Sequence, residues 1–149
     1  MTDLAQLLTD PKGSDVYHLI REPYEVEREA KAAGLHIVKM DIGHAHDTRE
    51  FMAHIAKGLN FPAHFGANLD ALHDCLTDLA WLGAATKGVV LVFEKSKHFG
   101  AGHKHEFDDS MEVLKSAAEF WREQGKPFYA FIHGAQGWKS GLPEWPAAV

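Results

Sequence analysis

Phe61 to Leu79 read FPAHFGANLDALHDCLTDL. Pro62 and Gly66 mark a turn, and Asn68 stands where a helix N-cap belongs, with a side-chain oxygen able to accept from an orphan backbone N–H. The spacing predicts a short helix from that point. At about 100° per residue, Leu69, Leu72, Leu76 and Leu79 share one stripe with Cys75, while Asp70 and Asp74 fall almost opposite, flanked by His73 and Thr77. The leucines would hold the helix to a core. The two carboxylates then face outward near the helix start, where the macrodipole favours negative charge. The product is a small, rigid, anionic face.

Two aspartates at i and i+4 are, by themselves, an ordinary part of a solvated face. Their setting is more specific. The string Pro62, Phe65, Gly66, Asn68, Leu69, Asp70, Ala71, Leu72, Asp74, Cys75, Leu76 closely resembles the signature of the barstar family, intracellular inhibitors of barnase-type ribonucleases. The resemblance spans roughly Gly34 to His133 and leaves out the first thirty or so residues and the tail. It implies an α/β fold in which a three-stranded parallel sheet is covered by helices. The chain is then expected to be one barstar-like domain over 1–149, with 1–33 as an N-terminal extension, 34–133 as the core and 134–149 as a C-terminal tail.

A length of 149 residues with 46% hydrophobic content suits one domain with a real core. The formal charge of -6, without a long basic run, argues against direct nucleic-acid binding and for a positively charged partner. A single cysteine forms no internal disulfide, and Cys75 falls on the predicted buried stripe, so a reducing compartment is compatible. The start, MTDLAQLLTDPKG, lacks the basic and apolar regions of a signal peptide, and no apolar run approaches membrane-spanning length. A cytoplasmic monomer with no membrane association is expected.

In chain order, Asp3 can cap a short, peripheral helix that Pro11-Lys12-Gly13 breaks. Val16 to Ile20 is β-branched and aromatic enough for a strand, and Pro23 suits the first turn of a helix running to Gly34. Leu35 to Ile42 alternates toward a second strand, so residues 15–42 read as a β-α-β unit with parallel pairing. Asp47 offers an N-cap, with Glu50 three residues on, for a helix whose Phe51, Met52, Ile55, Ala56 and Leu59 share a face.

Beyond the motif helix and Trp81, Leu82 to Lys87 reads as a loop. Gly88 to Glu94 is nearly continuous in apolar character, as in a central strand of a covered parallel sheet. Lys95 to Glu106, polar and glycine-containing with His98, His103 and His105, is expected to be an exposed loop. Helix returns near Asp108 or Asp109 and ends at Gly125, with Pro127 to His133 as the last strand. The tail should lie across the surface with Trp138 and Trp145 partly buried. The order is β-α-β-α-α-β-α-β, four strands, of which the first is an extra N-terminal strand relative to the three that the family resemblance implies.

A ribonuclease that cleaves by transphosphorylation surrounds a phosphate with cations, which are costly to bury unpaired. A carboxylate helix can supply the pairing. Asp74 would stand in for the phosphate, accepting bidentate hydrogen bonds from an arginine, with Asp70 beside it on the same cation cluster. By resemblance, His64, Gly66, Asn68, Asp70, His73 and Asp74 occupy partner-contacting positions, the loop from Pro62 to Gly66 lies over the nuclease active site, and Glu119 matches a further acidic contact. The sequence departs from the family at two of these: His64 stands in place of a tyrosine and His73 in place of a tryptophan. Those departures leave open a different nuclease or weaker binding. Protonation of His73 would partly neutralise the face, so binding to a basic partner is expected to weaken in acid.

Catalysis and cofactors are not expected. Two aspartates on one exposed turn lack anything in sequence to push their pKa values apart, and no P-loop, GxSxG or CxxC string is present. Eleven histidines raise a metal-binding alternative. His44 with His46, and His103 with His105, could each give two ligands, yet neither pair has the flanking pattern of an established motif. The remaining alternative is a barstar-like binding or immunity module against a different toxin or nuclease.

Overall fold

The computed structural model describes residues 3–61, 68–78 and 87–147. The expected loop at Leu82 to Lys87 lies almost wholly outside them. The described strands form one sheet of five: β1 (Asp15–Leu19), β2 (His36–Asp41), β3 (Val89–Glu94), β4 (Phe128–Ile132) and β5 (Glu144–Trp145), in the spatial order β2-β3-β4-β1-β5. Every pairing is parallel. The helices are α1 (Leu4–Leu8), α2 (Pro23–Ala32), α3 (Thr48–Leu59), α4 (Leu69–Leu76), α5 (Lys97–Gly102) and α6 (Lys104–Glu123), with a 3-10 turn at Pro11–Gly13.

Side chains alternate across the sheet and divide the core in two. Val89, Leu91 and Phe93 of β3 and Phe128, Ala130 and Ile132 of β4 join Phe51, Ile55, Leu72, Leu76, Leu114 and Trp121 on one face. Val90, Val92, Tyr129 and Phe131 join Leu4, Leu8, Val26 and Ala30 on the other. β3 and β4 are buried on both faces, which is why Gly88 to Glu94 reads as an unbroken apolar run.

The local signals hold where local chemistry decides. Asp47 accepts the Glu50 backbone N–H at 2.8 Å and opens α3; Asp3 does the same for Gln6 at 3.3 Å in α1. Pro23 is the first residue of α2, and Gly34 and Gly125 follow their helices with φ of 77° and 74°.

Four readings are corrected. β1 and β2 are parallel within one sheet but do not pair: β1 lies between β4 and β5, and β2 pairs with β3. The extra strand takes an interior position. The stretch from Lys95 to Glu106 is mostly helical, with α5 from Lys97 and, after His103, the start of α6 at Lys104. Its Phe99 is fully buried, and Gly100 faces the Trp138 indole so closely that a Cβ there would lie 2.4 Å from the ring. β4 is not the last strand, because Glu144–Trp145 pairs with β1 and brings Trp145 into the second core. The first helix is not peripheral: Leu4 and Leu8 are buried, and Tyr129 Oη donates to the carbonyls of Leu7 and Asp10 at 2.8 and 2.7 Å.

Candidate functional site

Among the described residues the motif helix forms over Leu69–Leu76, as its periodicity predicts, whereas the turn at Pro62 and Gly66 and the stripe position Leu79 lie outside them. Asn68 Oδ1 accepts the Ala71 backbone N–H at 2.7 Å, capping α4. Leu72 and Leu76 are fully buried and Leu69 packs on the same core. Asn68, Asp70 and Asp74 are exposed on the other side. Cys75 is half-buried rather than buried, because it lies at the margin of the stripe. Burial pushes its thiol pKa up and the neighbouring Asp78 and Asp74 push the same way, which keeps the sulfur protonated and unreactive.

The helix is fixed along its inner side by α6. At the last turn, Trp121 Nε1 donates to the Leu76 carbonyl at 2.8 Å within the core. Midway, His73 Nε2 and Ser116 Oγ share a hydrogen bond at 3.0 Å, whose direction follows the imidazole tautomer. Thr77 Oγ1 closes the helix by donating to the His73 carbonyl at 2.8 Å. Eight residues of helix therefore sit on a rigid support with their carboxylates outward.

Glu119 lies on α6 one turn beyond Ser116 and is exposed. Its neighbours along that face at helical spacing, Glu112 and Glu123, are also exposed acids. The structure thus sets Asp70, His73 and Asp74 together on α4 and puts Glu119 on the helix that supports it. His64 and Gly66 lie outside the described residues, as does the whole loop from Pro62 to Gly66. Ser116 was missed from sequence: a serine on an exposed helical face carries no signal that a histidine on another helix will reach it.

Chemically, the face offers fixed carboxylate acceptors. Such groups suit guanidinium and ammonium donors, with which they form charge-assisted hydrogen bonds. A sequence model described as "Barstar (barnase inhibitor)" matches residues 35–133. The chain belongs to the barstar family. The chain is also similar to a Bacillus subtilis (strain 168) protein named "Putative ribonuclease inhibitor YrdF". That protein is 38% identical over 68 residues, which make up 46% of this chain and 69% of its own length. Among solved structures, a similar chain is in the "Structure of the Aeropyrum Pernix ORC2 protein (ADPNP-ADP complexes)". The match has a TM-score of 0.58 at 13% identity and covers 89% of this chain. This chain spans 39% of that one, and the likeness shows a shared α/β architecture alone.

Within the barstar family frame, the match begins at Leu35 and ends at His133. It contains β2, β3 and β4, which are contiguous in the sheet. β1 and β5 extend that sheet on the β4 side and come from outside the matched residues. The acidic helix lies wholly inside them.

Proposed function

We propose that this chain is a non-catalytic, intracellular inhibitor of a barnase-type ribonuclease and that it acts as a monomer by plugging the nuclease active site with α4. Asp74 is the phosphate mimic, Asp70 shares the same cation cluster, and Asn68 and His73 border them. His64 and Gly66 belong to the covering loop, and Glu119 adds a peripheral acidic contact.

The single observation that carries this reading is the exposure of both aspartates on a capped helix held from behind by Trp121 and Ser116 of α6. Rigidity matters because a flexible carboxylate would lose rotamer and backbone freedom on binding, and that loss offsets affinity. The family membership and the inhibitor-named relative support the same conclusion. The net charge of -6 favours a basic partner over nucleic acid.

The test is to follow RNA cleavage by a barnase-type ribonuclease with increasing amounts of this protein, and to measure the association rate as salt is raised. The expected result is stoichiometric inhibition, with association that slows steeply as salt screens the two charged faces. Inhibition with no salt dependence would remove the phosphate-mimic mechanism. A second reading, a barstar-like module with a different nuclease target, draws on His64 and His73 standing at positions that are aromatic in the family.

A further inference from the structure

The sequence contains two histidine pairs, and the fold uses one member of each. His46, from the loop between β2 and α3, and His103, from the junction of α5 and α6, meet His98 of α5 at the C-terminal end of the sheet. Their ring centres are 5.0 Å apart for His46 and His98, 5.3 Å for His98 and His103, and 5.9 Å for His46 and His103. The other two members stand apart: His44 is exposed, and His105 is turned to Asp109 at 3.6 Å.

We propose that His46, His98 and His103 form a binding site for a borderline divalent transition-metal ion of the zinc type, with water completing the coordination. A metal about 2.1 Å from one nitrogen of each of three imidazoles, at tetrahedral angles, spaces the ring centres about 5 Å apart. The observed triangle has that size. Three neutral nitrogen donors are the set that zinc, cobalt and nickel accept, and one that magnesium and calcium do not favour.

As the rings now stand they are packed edge to face, and among the described residues no three His, Cys, Asp or Glu side chains converge on one metal position. Convergence requires side-chain rotation from the positions in which the three rings now meet. Ala45, Phe99 and Phe107, beside the three histidines, are buried. Thr48 donates through its backbone N–H and its hydroxyl to Glu106 Oε1 at 3.0 and 3.2 Å, joining the start of α3 to the start of α6. The His46 and His98 side chains are exposed, so their rotamers are free to change.

A carboxylate is in place to orient one ligand. Glu50 Oε1 lies 3.4 Å from His46 Nδ1, so Nε2 is the nitrogen that this carboxylate leaves for a metal. The nearby cation Lys104 is engaged by Asp108 at 2.7 Å. From His103 to Trp121 is about 27 Å along α6 at 1.5 Å per residue, so the site is remote from the last turn of the acidic helix and rests on no part of the inhibitor reading.

The experiment titrates chelator-treated protein with Co2+, recording the visible absorption that four-coordinate cobalt gives, and then displaces it with Zn2+. The expected result is one equivalent bound, displaced by Zn2+, with affinity lowered about 100-fold or more in His98→Ala and in His103→Ala and unchanged in His44→Ala and His105→Ala. His98 is exposed and His103 half-buried, and circular dichroism checks that each variant is folded. Absence of the visible band, or a band that persists at the same affinity in His98→Ala and His103→Ala, would overturn the assignment.

Discussion

Trp121 donates its indole N–H to the carbonyl of Leu76 at 2.8 Å, across the buried contact between α6 and the end of the acidic helix. The bond satisfies one of the terminal carbonyls that a helix leaves without an internal partner. Trp121 is itself fully buried and packs against Phe128 with ring centres 5.9 Å apart.

Trp121→Phe keeps much of the apolar surface but leaves the Leu76 carbonyl without its donor. A loss of about 1–3 kcal/mol in stability is expected, the cost of a buried unsatisfied group. Urea unfolding of the variant beside the parent protein measures it.

Asn68→Ala removes the side-chain oxygen that accepts the Ala71 N–H at 2.7 Å. The expected loss is about 1 kcal/mol. Because the cap opens the helix that carries Asp70 and Asp74, amide exchange in the first turn of α4 should accelerate in the variant, and exchange in β3 much less.

His18 ties β1 to the tail, its Nδ1 sharing a 2.8 Å hydrogen bond with Ser140 Oγ. Burial holds the imidazole below its ordinary 6.5, Glu144 opposes this, and His133 adds to it. The folded state therefore takes up a proton less readily than the unfolded chain. Stability from this group is intact above 6.5, falls as pH drops through that value, and levels off below the lowered folded pKa. Denaturation midpoints measured between about pH 8 and pH 5 should show this decline, and His18→Gln should flatten it.

How far the fold was legible depended on the range of the forces involved. Capping and leucine spacing are local, so α3 and α4 were read correctly from Asp47, Asn68 and the apolar stripes. The error over Lys95 to Glu106 came from composition. Three histidines, two glycines and three lysines mark a loop, and the pull toward helix comes from burying Phe99 and from Trp138, far along the chain, closing over Gly100. The pairing of β1 with β4 had the same origin: a strand interrupted by a helix carries no local record of which neighbour it will take. β5, of two residues, is too short for any periodicity. At the site, the outward direction of Asp70 and Asp74 followed from helical geometry alone, whereas the Ser116 contact to His73 exists only once α4 and α6 are packed. His64 and Gly66 lie outside the described residues.

The central claim is that α4 presents Asp74 to a nuclease as a substitute for phosphate. Calorimetric titration of a barnase-type ribonuclease with the parent protein and with Asp74→Ala tests it most directly, with RNA cleavage followed in parallel. The account predicts tight one-to-one binding that blocks cleavage. In the variant, the loss of charge-assisted hydrogen bonds worth about 1.5–3 kcal/mol should weaken affinity tenfold or more. Folding stability should stay within about 0.5 kcal/mol, because the side chain is exposed. Equal binding by the two proteins would contradict the account.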